Sequence, residues 1–314
     1  MVFITELQIA ESASYDRWIN CMEEAFEAVA DGSVIIPKRS HIDFDSNSLL
    51  LMPCIGTKYF TTKLVSFFPG NRKTGKPSIY GTVLLNDSKT GELLAVIDGT
   101  KLTAMRTAAV GSVGVRHLSP VNTASLGIIG LGVQGYHQAL FACSQRPINK
   151  IYVYDIQKEN IIKFCNDLSK VFPRIKILPS GDGSEVCRNS EIIITTTNSG
   201  NPVLPEDISL LEGKTFIAIG SYKPDMRELP DALFKLVDYV FIDTEHGMAE
   251  SGDLTAPLEQ GLLRENRFIN ANDLLLGKTV PKNPTRLFKL VGMAAFDLYA
   301  AILVYESQNQ DIKY

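Results

Sequence analysis

Residues 125–135 read SLGIIGLGVQG: a short apolar run, Ser125 to Ile129, leads straight into Gly130-Leu131-Gly132-Val133-Gln134-Gly135. A β-type run that opens through GxGxxG into a helical pattern is the signature of a dinucleotide-binding turn. The first glycine permits the tight turn, the second lets the backbone approach a pyrophosphate, and the third lets helix and strand pack closely. Val133 and Gln134 open the helix, whose free N–H groups suit an anion. A second apolar run, Ile151 to Tyr154, ends in Asp155, 20 residues after Gly135, where a carboxylate can bind the adenosine ribose diol. A carboxylate there repels a 2′-phosphate, and Ile156-Gln157 supply no arginine, so the expected cofactor is NAD(H) rather than NADP(H).

Outward from this turn the chain alternates strand and helix: Val133 to Gln145, KIYVYD, Glu159 to Val171, RIKILP, EIIITTT, TFIAIGS and YVFID. The strand runs are apolar on both faces, as parallel strands covered by helices must be. The pattern predicts a doubly wound Rossmann domain over residues 113–293. Thr196 and Gly220, at the carboxyl ends of EIIITTT and TFIAIGS, are expected cofactor contacts, because ligands of such sheets bind at that edge.

The N-terminal third has another rhythm. Ser14 to Val29 carries apolar residues at helical spacing and ends at Asp31-Gly32. From Ser48 to Ile97 the runs SLLLMPCI, YFTTKLVSF, YGTVLLND and LLAVID, divided by turn residues, predict a mostly antiparallel sheet. Thr103 to Leu118 reads as a small-residue helix, and about Thr285 to Tyr305 as a last helix that returns to the N-terminal sheet. The fold class is α/β: a Rossmann domain plus an α+β substrate-binding and dimerisation domain built from residues 1–112 and 294–314.

Composition sets the outer bounds. Of 314 residues 45% are hydrophobic and 21% charged, and 31 Lys+Arg against 35 Asp+Glu give a net charge of −4. That balance belongs to a compact globular chain, and no basic track suits nucleic acid. The longest late apolar run, Met293 to Tyr305, is broken by Asp297 and falls short of a bilayer span, and the N-terminus lacks a secretory pattern. The expectation is a cytoplasmic protein with no membrane partner. Five cysteines without a CxxC fit reduced thiols and no metal site.

Three cations stand in unusual contexts. Arg39 follows Pro37 in a loop, Lys63 lies inside the strand YFTTKLVSF on one face with Thr61 and Val65, and Arg106 interrupts the apolar helix TAMRTAAVGSVG. Taken singly each has an ordinary reading, a strand lysine facing solvent or a helix arginine snorkelling outward. Jointly they form a clamp for a substrate carboxylate, arginine giving a bidentate fork and lysine a point charge whose pKa burial can lower.

At this point the chain resembles the ornithine cyclodeaminase and mu-crystallin family, with its archaeal-type alanine dehydrogenases and cyclic imine reductases. The resemblance runs through Pro37-Lys38-Arg39, MPCIG at 52–56, Lys63, Pro69-Gly70-Asn71, GELLAVIDGTKLTAMRTAA at 91–109, GLGVQG, IGSYKPDMREL at 219–229, SGDL at 251–254 and LFKLVGMAAFDL at 287–298. It implies a homodimer, a nicotinamide cofactor, and an amino or imino acid whose carboxylate is held by Arg39, Lys63 and Arg106. Where cyclodeaminases and alanine dehydrogenases carry Asp two residues after the loop glycine, this chain has Tyr222; mu-crystallin and some imine reductases also lack that Asp, and the loop is more similar to theirs.

The expected activity is NAD(H)-dependent reduction of an α-imino acid, a ketimine or cyclic imine, or the reverse amino acid dehydrogenation. Lys63 is the expected acid at the imine nitrogen, and Tyr222 a substrate contact. Two alternatives remain beside it: an ornithine cyclodeaminase, converting ornithine to proline and ammonia with catalytic NAD+, and a ligand-binding protein of the mu-crystallin kind without turnover. A Rossmann enzyme of the shikimate dehydrogenase type is more remote.

Overall fold

The computed structural model describes residues 1–310. The chain divides into two compact units, Met1–Ala109 with Met293–Tyr314, and Val110–Gly292. The division falls at 109/110 rather than 112/113, inside one uninterrupted helix, Gly99–Leu118. The last four residues of the expected segment 294–314 lie outside the described residues.

Unit 1 is built on six strands: β1 (Val2–Ile4), β2 (Ser40–Phe44), β3 (Asn47–Ile55), β4 (Tyr59–Phe67), β5 (Ile79–Asp87) and β6 (Leu93–Asp98). Their order is β1-β6-β5-β4-β3-β2; β1 runs parallel to β6 and the other four pairings are antiparallel. Two strands were not legible. β2 is exposed at every residue, so no apolar face marks it, and β1 has only three residues. Alternation along β4 turns Thr61 and Lys63 inward, at 1% and 3% exposure, beside Met52, Cys54, Val83 and Leu85 of the same face.

Two helices pack on each other, Tyr15–Ala30 and Ala294–Gln310, and the second lies on that face. Ser14 caps the first by accepting from Arg17 N, and its buried stripe includes Trp18, Cys21, Met22, Ala25 and Phe26. Phe26 meets Phe296 of the C-terminal helix edge to face, with ring centroids 4.9 Å apart. The C-terminal helix starts at Ala294 rather than near Thr285, because Arg286–Lys289 is a strand and Gly292 (φ +86°) turns the chain before the helix begins. A four-residue apolar run that continues into a helical one cannot be separated from it by periodicity.

Unit 2 carries eight parallel strands: β7 (Ser125–Ile129), β8 (Lys150–Tyr154), β9 (Lys176–Pro179), β10 (Ile192–Thr195), β11 (Thr215–Ala218), β12 (Val240–Ile242), β13 (Phe268–Asn270) and β14 (Arg286–Lys289). Their order is β13-β12-β14-β11-β10-β7-β8-β9, so the direction of winding reverses between β7 and β10. Ile192, Ile193 and Ile194 of β10 are all buried, as a central strand covered on both faces requires. The chain is thus α/β, with a doubly wound parallel sheet in unit 2 and a mixed sheet in unit 1. Among the described residues no helix is long and apolar enough to cross a membrane.

Candidate active site

At the reversal point of the unit 2 sheet, the carboxyl ends of β7, β8, β10 and β11 frame a cavity of about 620 Å³. Gly130, Gly132, Gln134, Asp155, Thr196, Gly220 and Tyr222 line it. Val133 and Gly135 do not. Val133 is exposed at the start of the helix Val133–Gln145, and Gly135 faces inward, where a Cβ would stand 2.2 Å from Gly130 O. Gly130 adopts φ +92°, and a Cβ there would come within 2.8 Å of Thr196 O. Gly132 differs: nothing lies within 4 Å of the Cβ it lacks, so its backbone stands open to the cavity beside a helix N-terminus.

Asp155 fixes the turn as well as facing the cavity. Its Oδ2 accepts from Leu131 N at 2.8 Å, and its Oδ1 from Gln157 N at 2.8 Å and Asn160 Nδ2 at 3.2 Å. A carboxylate accepts about four hydrogen bonds, so Oδ2 retains one acceptor position for a ribose hydroxyl. Open backbone at Gly132, a helix N-terminus and a partly spent carboxylate at the next strand fit a dinucleotide.

Thr196 Oγ1 donates to Gly130 O at 2.6 Å, tying the β10 loop to the glycine turn. Glu228 ties the β10 and β11 loops to each other. Its carboxylate accepts from Thr195 Oγ1, Thr197 N, Thr197 Oγ1 and Gly220 N at 2.6–2.9 Å. Burial and the neighbouring Asp253 push the Glu228 carboxyl above the usual range, while Lys289 and the Thr197 donors oppose that rise. Sequence reasoning placed Glu228 only as a family position and found no partner for it, since its donors lie in two segments distant from each other, 195–197 and Gly220.

Unit 1 holds the cations. Lys63 Nζ, on β4, lies 2.6 Å from Asp297 Oδ2, and Arg106 Nε donates to Asp297 Oδ1 at 3.1 Å. Asp297, on the C-terminal helix, is itself fully buried. Sequence reasoning noted Asp297 only as a break in an apolar run; an acid amid MAAFDLYAA was the available signal, since buried carboxylates need partners. Two cations and one anion leave this cluster with a net positive charge. Arg106 spends only Nε on Asp297, so its terminal nitrogens stay available to a carboxylate.

Burial lowers the Lys63 ammonium to about 8; Asp297 opposes that shift, and Arg106 and the more distant Arg39 add to it. Arg39 is half-buried just before β2. The four histidines stay outside this cluster: His41 faces Asp43 at 3.0 Å on exposed β2, and His137 Nδ1 pairs with Val133 O at 2.8 Å inside its helix. Among the described residues no group of three His, Cys, Asp or Glu side chains could hold a metal ion.

With this geometry in place, comparison with known proteins is decisive on kinship. The profile of the ornithine cyclodeaminase/mu-crystallin family matches residues 1–311. The chain belongs to that family. Among its ornithine cyclodeaminase/mu-crystallin relatives, Δ1-pyrroline-2-carboxylate reductase of Bacillus thuringiensis subsp. konkukian is 33% identical over 283 residues, 87% of this chain and 86% of the relative. Ketimine reductase mu-crystallin of Mus musculus is 33% identical over 287 residues, 90% of this chain and 88% of the relative. In structure, Thermococcus litoralis Δ1-pyrroline-2-carboxylate reductase in complex with NADH and L-proline superimposes with a TM-score of 0.91. It shares 31% identity, over 99% of this chain and 98% of that one.

Proposed function

We propose that this chain is an NAD(H)-dependent oxidoreductase that reduces an α-imino acid, a cyclic imine such as Δ1-pyrroline-2-carboxylate or a linear ketimine. The observation that carries this reading is the buried group Lys63, Arg106 and Asp297: an acid of suitable pKa beside a fork for a carboxylate. The names of the relatives, two imine reductases and a structure holding NADH with L-proline, support the substrate class.

NADH supplies a hydride from its nicotinamide when bound. The chain's own residues do the rest. Gly130, Gly132 and the helix N-terminus at Val133 and Gln134 take the pyrophosphate, Asp155 the adenosine ribose, and Thr196 and Gly220 the half beyond it. Arg106 and Arg39 hold the substrate carboxylate, which fixes the imine carbon in a reactive pose. Lys63, held by Asp297 as an ammonium, would give its proton to the imine nitrogen, so that with the hydride supplied to the carbon the product is the neutral amine. Tyr222, half-exposed on the cavity wall, contacts the substrate.

The same reading takes the enzyme as a homodimer joined through the outer face of the unit 1 sheet, where Ile42, Phe44, Leu64 and Tyr80 stay exposed. It is cytoplasmic, where its five cysteines, all free thiols, stay reduced. Sedimentation at micromolar concentration checks the dimer.

The experiment for the activity is a screen of NADH consumption by absorbance, with preformed cyclic imino acids and with α-keto acids plus amines. A steady rate with at least one imino acid, and the matching amino acid as product, is expected. NADH binding with no turnover on any of them would replace this reading by that of a ligand-binding protein.

A further inference from the structure

The segments IGSYKPDMREL and SGDL carry a buried polar assembly that the reduction itself does not use. Glu228, within the first, is fully buried and does not line the dinucleotide cavity. Its Oε1 accepts from Thr197 N at 2.6 Å and Thr197 Oγ1 at 2.8 Å, and its Oε2 from Gly220 N at 2.7 Å and Thr195 Oγ1 at 2.9 Å. Two of these donors follow β10 and one ends it, while Gly220 follows β11. The two loops touch so closely that a Cβ on Gly220 would come 1.9 Å from Thr197 O.

Glu228 is in turn held from behind. Asp253 Oδ1 accepts from Glu228 N at 2.7 Å and from Leu229 N at 2.9 Å, and Asp253 Oδ2 pairs with Lys289 Nζ of β14 at 3.0 Å. Ser251 Oγ donates to Ser221 O at 2.9 Å, so the SGDL segment grips the loop at both ends. All of these groups are almost wholly removed from water, where unpaired polar atoms are costly. The hydrogen bonds on the Glu228 carboxylate and on Asp253 Oδ1, with Lys289 drawn to Asp253 Oδ2 by charge alone, give a stiff floor.

The position of that floor identifies what it serves. Asp155, just past the end of β8, marks the adenosine side of the reversal point on the dinucleotide reading, and the glycine turn after β7 takes the pyrophosphate. The rest of a dinucleotide must then run over the ends of β10 and β11, on the loops that Glu228 joins.

We propose that Glu228, braced by Asp253 and Lys289, is a positioning residue for the nicotinamide half of the bound dinucleotide. This rests on the dinucleotide reading above and goes beyond it, because it assigns selective work to a residue that touches no ligand. Only a carboxylate suits the role: an amide nitrogen in place of either oxygen would face two donors with two more. Four donors on two oxygens leave no free lone pair for acid–base service, which separates Glu228 from Lys63 in function.

The test compares wild type with Glu228→Gln in the full-length protein, using NADH binding by fluorescence titration, ADP binding by calorimetry, and thermal melting. ADP reports the adenosine and pyrophosphate subsites alone. The expected result is an NADH dissociation constant raised at least tenfold with that of ADP changed less than twofold. Equal weakening of both ligands would reduce Glu228 to a general stabiliser and overturn the proposal, as would unchanged NADH binding. Should Glu228→Gln fail to fold, Thr195→Val removes one donor from Oε2 at nearly constant shape. It is expected to weaken NADH threefold or more and to leave ADP unchanged, and an unaltered NADH-to-ADP ratio in that variant would overturn the proposal too. Wild-type protein that binds ADP but not NADH would defeat the dinucleotide reading itself, before any variant is compared.

Discussion

Lys63 Nζ stands 2.6 Å from Asp297 Oδ2, a buried ion pair drawn from opposite ends of the chain. It joins the middle of the unit 1 sheet to the C-terminal helix that covers it. Burying both charges costs several kcal/mol each before their attraction repays it, so geometry this close at 3% and 1% side-chain exposure serves more than cohesion.

Its first consequence is a pH limit. Lysine gives up its proton as an acid only while protonated, and burial lowers Lys63 from its ordinary 10.5 to about 8. The protonated form therefore dominates below that value and is lost above it. Imine reduction is expected to fall about tenfold per pH unit above pH 8, with the alkaline limb removed from the residual rate of Lys63→Met. General acids contribute roughly 10²–10⁴-fold, so Lys63→Met should lose at least a hundredfold in kcat while binding NADH normally. A rate flat to pH 9.5, or a variant that keeps a tenth of the activity, would remove Lys63 from the chemistry.

Asp297→Asn carries the opposite charge change. Removing the carboxylate withdraws both the charge and the charged hydrogen-bond acceptor that favour the Lys63 ammonium, so the lysine pKa must fall further. The alkaline limb is expected to move to lower pH by about one unit or more, with activity partly restored on acidification. The variant also leaves Lys63 and Arg106 without their shared partner, at a stability cost of about 3–5 kcal/mol, readable as a lower Tm. A limb that stays in place with Tm reduced would assign Asp297 to stability alone.

Arg106→Lys separates charge from shape. Both side chains are cationic, yet lysine offers no planar fork for a carboxylate. KM for the imino acid is expected to rise about tenfold or more, with a smaller change in kcat and none in NADH affinity. An unchanged KM would exclude Arg106 from the carboxylate contact.

How much of this was legible depends on whether the signal is local. The strands 59–67 and 93–98 and the helix 133–145 have the bounds that their own alternation or periodicity indicates. β14 was hidden because Leu287 to Leu290 reads equally as strand or as the first turn of the apolar helix beyond it. Lys63, Arg106 and Asp155 announced themselves by standing in apolar or motif contexts. Asp297 and Glu228 gave only half a signal each: a buried acid shows in the sequence, whereas its partners lie in distant segments that only the folded chain brings to it.

Cofactor choice is expected to follow from Asp155. Its carboxylate already binds Leu131 N, Gln157 N and Asn160 Nδ2, which holds it in place at the ribose end and gives it no freedom to retreat from a 2′-phosphate. The ratio of kcat/KM for NADH over NADPH is expected to exceed ten. Asp155→Ser should bring that ratio toward one, chiefly by improving NADPH, since Lys158 at the start of the next helix remains to meet the phosphate. Equal efficiency with the two cofactors in the wild type would refute the assignment.

Tyr222 is the position at which reduction and lyase chemistry can be tested against each other. Cyclisation of ornithine requires its distal amine, protonated at neutral pH, to be paired and deprotonated, and an ionised carboxylate does both. Tyr222 offers a phenol hydroxyl in place of a carboxylate, with only a hydrogen bond to give that amine, and it stands half-exposed on the cavity wall. Glu228 cannot substitute, because its oxygens are committed to four donors beneath the loop. Asp225, exposed in the same loop, lies one residue past Pro224 and outside the cavity lining. Incubation with L-ornithine and catalytic NAD+ is therefore expected to yield proline and ammonia at well under about 1 per second, an ordinary enzyme turnover. Tyr222→Asp should raise that rate while lowering imine reduction. Stoichiometric proline and ammonia at ordinary turnover from the unaltered protein would show that no carboxylate is needed at this position, and would make the enzyme a lyase.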